Sequence, residues 1–426
     1  MINVDISNIW TCVTLPELLG SEKQIFDAHQ LLRNNEPDGP DFLGWLGMPH
    51  SVNERLVHSI RRKSDQICNQ SDVLIVCGSG DSYNAAKAAI CCYGGAHRNL
   101  LQLPQVFFTG ESLSGRQWQE LQRLLEERDY SLFIISPTGK ELSSNIAVRG
   151  LRWMMERKYG VNAKERISIA TPVGTVLHKM GQEEGFELFP MPRQMGGSHS
   201  ALTAAALLPM AVAGIDPQTV LDGAVEAYRE LDIRSFENPA WLYTAARSVL
   251  PTKGKKREIL GFFDSSLTEL GRWWQRYAWR HEGSGLSSES LLLPGDLHSA
   301  EQMLLYSNDI FETLVRFDPI SKKIPVEMDW KDYDGLGVLS GRHLDYVETE
   351  LLTAVAETHN TAGIPVLDIH AGELSAQSLG ELFYFFELSS ALTAKVAGRD
   401  PFADEGCPSI DATLAAMGAL NGESTT

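Results

Sequence analysis

The sequence predicts an α/β protein built from two tandem lobes, each a doubly wound parallel sheet. Three observations carry that prediction. Short, continuous apolar runs recur along the chain, each closed by a Gly/Ser-rich turn and followed by a segment with helical spacing, the pattern of strands buried on both faces alternating with helices. The pattern restarts after a helical connector at 217–231. The 426 residues are also too many for a single hydrophobic core.

In the first lobe the runs are VLIVC at 73–77, VFF at 106–108, LFII at 132–135 and ISIA at 167–170, with FELF at 186–189 as a candidate fifth. Helical segments follow near 85–93, 118–127, up to 157, 174–184 and from Ala201. In the second lobe the strand candidates are 258–263, 309–317 and 364–369, with helices after Trp273 and over 344–359 and 379–396. Upstream, helices are expected at 22–33 and 53–69. The expected division is an N-terminal segment 1–52 packing on the second lobe, a first lobe 53–216, a second lobe 217–420 and a disordered tail 421–426. Right-handed crossovers place the strand-to-helix loops along one edge of each sheet, where ligands of such sheets bind.

Composition narrows the function classes. Hydrophobic content of 43% and charged content of 22% are those of an ordinary globular protein. A formal charge of −18 argues against nucleic acid or an anionic membrane as main partner, while leaving room for a locally positive pocket. No signal peptide or membrane-length apolar run is evident, so a cytoplasmic protein is expected. Six cysteines form no CxxC pair, and the adjacent Cys91 and Cys92 suit neither a routine disulfide nor zinc. Asp296/His298 and Asp368/His370 are carboxylate–imidazole pairs two residues apart, too little to predict a metal. Gly78-x-Gly80 lacks the third glycine of a dinucleotide fingerprint, so no cofactor is expected. Cys77, at a strand end, reads as a buried core thiol more readily than as a nucleophile.

One stretch concentrates ionisable groups. From Trp273 a helix-compatible run leads to Arg280, His281 and Glu282, breaks at Gly283 and Gly285, and resumes at Asp296-Leu297-His298-Ser299. Two such clusters around a loop meet the needs of a proton-transfer site; a solvated helix end and a capping aspartate fit the same residues.

Several stretches, in order, resemble the bacterial form of glucose-6-phosphate isomerase, a family of two sugar-isomerase lobes. They are DFLGW at 41–45, SDVLIVCGSGDSYNAAKAAI at 71–90, GGSHSALTAAALLPMAVAGID at 196–216, ENPAWLY at 237–243, Trp273-Trp274, DLHS at 296–299 and IFETLV at 310–315. The resemblance implies chemistry in which a histidine opens the sugar ring and a glutamate shuttles a proton through an enediolate. An arginine stabilises charge, and a Ser/Thr-rich loop grips phosphate. It puts His298 in the ring-opening role, reaching the neighbouring subunit of a homodimer.

The other family positions are altered. Counted from the paired tryptophans, the base position falls on Arg280, and a guanidinium cannot deprotonate a carbon acid; Glu282, two residues on, is the candidate substitute. The arginine after the paired glycines is replaced by Ser198, beside Gly197 and His199. The phosphate loop reads Ser136-Pro137-Thr138-Gly139-Lys140-Glu141. Ser136, Thr138 and Gly139 suit an anion at a helix N-terminus, whereas Glu141 would repel one; Lys140, also assigned to substrate, could offset that charge or pair with Glu141. In the glycine loop Gly78, Ser79, Asp81 and Ser82 are assigned to substrate, with Asp81 standing where the family has glycine. The C-terminal lysine position is Asp411. The expected function is a divergent isomerase-like enzyme on a sugar-like small molecule, with a non-catalytic binder as the alternative.

Overall fold

The computed structural model describes residues 2–34, 54–139, 141–192, 199–281, 285–318, 323–403 and 407–417. The expected tail 421–426 lies outside them, as do Lys140, Gly197, Ser198 and Glu282.

The chain opens with strand β1 (Asn3–Asn8), a short turn of helix at Leu15–Leu19, helix α1 (Glu22–Asn34) and helix α2 (Glu54–Gln70). A five-stranded parallel sheet follows: β2 (Val73–Gly78), β3 (Gln105–Thr109), β4 (Tyr130–Ile135), β5 (Ile167–Pro172) and β6 (Glu187–Met191), in the order β3-β2-β4-β5-β6. Every residue of β2, β4 and β5 is buried, which is why these strands read as unbroken apolar runs. Helices α3 (Asp81–Gly94), α4 (Gly115–Glu126), α5 (Leu142–Tyr159) and α6 (Val176–Glu184) connect them.

Helices α7 (Ala204–Val212), α8 (Pro217–Glu230) and α9 (Pro239–Val249) lead to the second sheet. It holds β7 (Arg257–Phe262), β8 (Ser287–Leu292), β9 (Ile310–Arg316) and β10 (Val366–His370), with α10 (Thr268–His281), α11 (Leu297–Tyr306), α12 (Leu344–Thr361) and α13 (Ala376–Val396) around it. Its order is β1-β10-β9-β7-β8. The parallel strands of both sheets thus share one winding: the first strand lies inside, the second beside it, and the later ones on its other side.

Two strands differ from the sequence reading. β1 pairs antiparallel with β10, Asn3 opposite His370, so the second sheet is parallel except at this edge. Its alternating burial puts every second residue in water, leaving no apolar run to read. β8 pairs parallel with β7 along a stretch read as a Ser/Gly-rich loop. As the outer strand of its sheet it buries only Ser288 fully, so it needs few apolar residues.

A continuous hydrophobic cluster runs from β2 and β4 through α7, α9, α10 and α13 into β7, β9 and β10, so the two sheets share one core. Helix α13 is buried all round, as expected of a helix that is apolar on every face. It crosses α8 backbone to backbone. A Cβ on Gly380 would lie 1.8 Å from the Val220 carbonyl oxygen, and one on Gly223 would lie 1.9 Å from that of Gln377. No side-chain rotation relieves a clash with backbone. Replacement Gly380→Ala is therefore expected to destabilise by at least about 3 kcal/mol, read as a fall in denaturation midpoint, whereas Gly254→Ala, with open space at its Cβ, should cost only the strain of a left-handed alanine.

Candidate active site

In the first sheet the winding reverses between β2 and β4, and the loops after these strands form the crevice where doubly wound sheets bind ligands. Gly78 ends β2 so close to β4 that an added Cβ would meet the Ile135 carbonyl oxygen at 2.4 Å. It is buried, and it permits this approach. Gly80 then turns with φ 93, a left-handed conformation that glycine takes without strain, and starts α3. Asp81 is the first residue of that helix.

Three neutral donors orient the Asp81 carboxylate. Its Oδ2 accepts from the Ser200 backbone N–H at 2.6 Å and the Ser200 hydroxyl at 3.1 Å, and its Oδ1 accepts from the Trp273 indole N–H at 2.7 Å. Ser200 in turn accepts from the Ser82 backbone N–H at 3.1 Å. Burial raises the Asp81 carboxyl above its ordinary value, against the pull of these donors and of the Arg280 charge.

Helix α10 brings the second lobe to this point. Leu270, Trp273, Trp274, Tyr277 and His281 form its buried stripe, which leaves Arg276 and Arg280 exposed on one flank, four residues apart. A cleft of about 430 Å³ results, lined by Gly80, Asp81, Glu111, Arg276, Arg280 and His281 among others. Arg276 donates to Asn84 at 2.8 Å and pairs with Glu111 at 2.5 Å. A larger cleft, about 530 Å³, lies near Glu17, Arg247 and Lys253 and shares no lining residue with the first; its lysine is held by Glu17. The second sheet's own crevice is lined by Asp264, Asp318, Asp345, Glu348 and Asp368, with Arg316 paired to Asp368, and is acidic on balance.

Two buried imidazoles lie behind the cleft. His199 adopts a left-handed backbone (φ 51), a strained conformation for a non-glycine residue of the kind that clusters at functional sites. Its Nδ1 meets the Tyr277 hydroxyl, and its ring packs on His281 and Phe402. His281 Nδ1 donates to the Pro401 carbonyl at 2.6 Å. Burial drives His199 well below its ordinary value and His281 to about 3, so both are neutral at physiological pH.

Of the residues assigned from sequence, the structure brings Asp81, Ser82, His199 and Arg280 together. Ser79, half-buried, lies in the loop between Gly78 and Gly80. Ser136 and Thr138 sit across the crevice after β4, and their donors are already engaged. Glu141 curls back so that its carboxylate accepts from the Ser136 hydroxyl at 2.5 Å, the Thr138 hydroxyl at 2.8 Å and the Thr138 N–H at 3.2 Å. His298 is exposed on the first turn of α11, and Asp411 is exposed on the helix Pro408–Ala416, which we number α14. Neither has a side-chain bond to the cleft among the described residues.

Sequence reasoning missed Ser200, Tyr277, Pro401 and Glu387, and it assigned Trp273 no role at the site. Glu387 had a signal, a lone carboxylate in the apolar run LFYFFELSSALTA. It is 1% exposed and accepts from the Ala201 N–H at 3.4 Å. Burial, and then the Asp81 charge, raise it well above its ordinary value.

No family model matches the chain. It is 33% identical to glucose-6-phosphate isomerase of Clostridium tetani over 99% of this chain and 96% of that protein. The chain belongs to the glucose-6-phosphate isomerase family. It is 32% identical to the Fusobacterium nucleatum isomerase, covering 98% of this chain and 95% of that protein, and 34% identical to that of Listeria monocytogenes, covering 94% and 91%. Among solved structures, a hypothetical protein from Thermus thermophilus superposes with TM-score 0.86 at 18% identity, covering 99% of this chain and all of that one. A glucose-6-phosphate isomerase from Chlamydia trachomatis gives 0.72 at 14% identity, covering 96% and 86%. These two carry the fold, two sugar-isomerase lobes, as the sequence predicted.

Glu387 makes a pH prediction for this family member. Its folded carboxyl titrates above the unfolded value of about 4.3, so its contribution is fully present below that value and is lost as pH rises through the folded one. Glu387→Gln cannot ionise. The gap between its melting temperatures at about pH 5 and about pH 8 should be smaller than that of the native chain. An unchanged gap would count against the buried-carboxyl reading.

Proposed function

We propose that this protein is a divergent isomerase-family enzyme that performs acid/base chemistry on a sugar-like or other carbonyl substrate, with weak or no glucose-6-phosphate isomerase activity. The observation that carries this reading is Glu141. A helix N-terminus after a parallel strand, with a serine and a threonine in the turn, is chemically an anion cradle. Here the chain's own carboxylate takes the Ser136 and Thr138 donors that a phosphate would need. A phosphorylated substrate must displace a bonded carboxylate and then sit beside its charge.

Arg280 at the expected base position supports the same reading, because the catalytic step of the family cannot run on a guanidinium. The cleft nevertheless keeps groups able to bind and polarise a carbonyl compound: Asp81, Arg276, Arg280 and the neutral His281. We take the protein to be a cytoplasmic homodimer in which His298 reaches the neighbouring copy's cleft. The exposure of His298 in the single chain, beside exposed Met303 and Tyr306 on the same helix, supports that arrangement. No helix is long and apolar enough to cross a membrane among the described residues.

With fructose 6-phosphate in a coupled assay, turnover is expected at least about 100-fold below that of the Clostridium tetani relative run alongside, the scale of losing one charge-stabilising group. Ordinary turnover would overturn the reading. Glu141→Ser keeps a good helix cap and frees the loop donors. Inorganic phosphate should raise the melting temperature of this variant and leave the native chain unchanged.

A further inference from the structure

The cleft has lost a base at Arg280, yet it retains an oriented carboxylate. Among the described residues two carboxylates line it, Asp81 and Glu111. Glu111 is neutralised by Arg276 at 2.5 Å. Asp81 instead is held by an indole and a serine, neutral donors that fix its direction without cancelling its charge. Its Oδ1 accepts one hydrogen bond, from Trp273, and so retains a lone pair beyond it.

Resting on the isomerase-type function proposed above, we infer that Asp81 is the proton-transferring base of this site and that Arg280, at the old base position, stabilises the charge it creates. The Asp81 carboxylate takes a proton from the carbon next to the substrate carbonyl. The C–H electron pair becomes the enediolate, whose oxygen charge faces the Arg280 guanidinium. The hydroxyl proton passes from one enediolate oxygen to the other, and protonated Asp81 returns its proton to the neighbouring carbon. Atoms and electrons balance, and no oxidant or cofactor enters. The roles of the two positions are exchanged relative to a site with a glutamate base.

The surroundings suit the task. A base works best when its pKa approaches the operating pH, and burial raises Asp81 in that direction. Among the described residues the charged and titratable groups around it are Arg276, Tyr277, Arg280 and His281 from α10, Glu387 from α13, Glu111 after β3 and His199 before α7. The Asp81 charge opposes ionisation of Glu387 behind it, and Arg280 favours ionisation of Asp81 from the cleft.

The test is exchange of carbon-bound hydrogen with deuterated solvent, followed by NMR on aldoses and ketoses of three to six carbons, each with and without a terminal phosphate. Asp81→Asn should lower exchange by about 100-fold or more, the usual contribution of a general base. Trp273→Phe keeps the carboxylate but removes a donor to its charged form, so the acid limb of the exchange profile should move to higher pH. That second variant decides the matter if Asp81→Asn proves unstable on melting. Exchange by Asp81→Asn within a few-fold of the native rate, or an unmoved limb in Trp273→Phe, would overturn the role of Asp81 alone. A native protein silent on every compound would overturn the proposed enzyme function, and this role with it.

Discussion

The hydrogen bond from the Trp273 indole to Asp81 joins the two halves of this protein at its cleft. One partner starts α3 at the crevice of the first sheet, and the other sits in the buried stripe of α10 beside the second. Ser200 completes the junction by bonding both Asp81 and the backbone of Ser82. A half-satisfied carboxylate in this setting would be costly, so the three donors and the packing of α10 depend on one another. The same helix places the cations and the buried rings of the cleft: Arg276 and Arg280 on its open flank, Tyr277 and His281 on its buried one.

The electrostatics of the site follow from the same arrangement. Anionic and neutral groups lie deep, in Asp81, Glu387 and two uncharged imidazoles, and the cations lie at the rim. Across the crevice the loop after β4 has become self-sufficient, with Glu141 engaging the donors around it. A pocket for a phosphorylated sugar needs positive charge in depth and unoccupied donors. Here, among the described residues, the cations lie at the rim and the donors of Ser136 and Thr138 are engaged, on the scaffold of a family whose relatives carry the name glucose-6-phosphate isomerase. The shared core holds the two sheets together. Its most demanding contact, the crossing of α8 and α13 at Gly223 and Gly380, lies in the helical layer rather than in the cleft loops.

Much of the architecture was legible because burial on both faces forces an apolar residue at every strand position. The runs at β2, β4 and β5 needed no partner to be recognised. The edge strands β1 and β8 were illegible for the converse reason, since half-exposed backbone is compatible with serine and asparagine. In the site, the sequence pointed to Asp81, His199 and Arg280 through their place in recognisable motifs. It could not show Ser200 or Tyr277 as partners, because hydrogen bonds between residues far apart in the chain leave no local pattern.

The sequence by itself determined the fold class and the family, and it singled out the positions where the resemblance implies altered chemistry, because periodicity and ordered motifs are local properties of the chain. Only the tertiary structure decided what the replacements do. Glu141 could have pointed to solvent and merely repelled phosphate, but the backbone turn aims its carboxylate into the loop's own donors. Asp81 could have been one more polar residue near substrate, but an indole contributed 192 positions further along the chain orients it beside Arg280. Direction and desolvation set the reactivity of a carboxylate, and both are properties of what surrounds it in space.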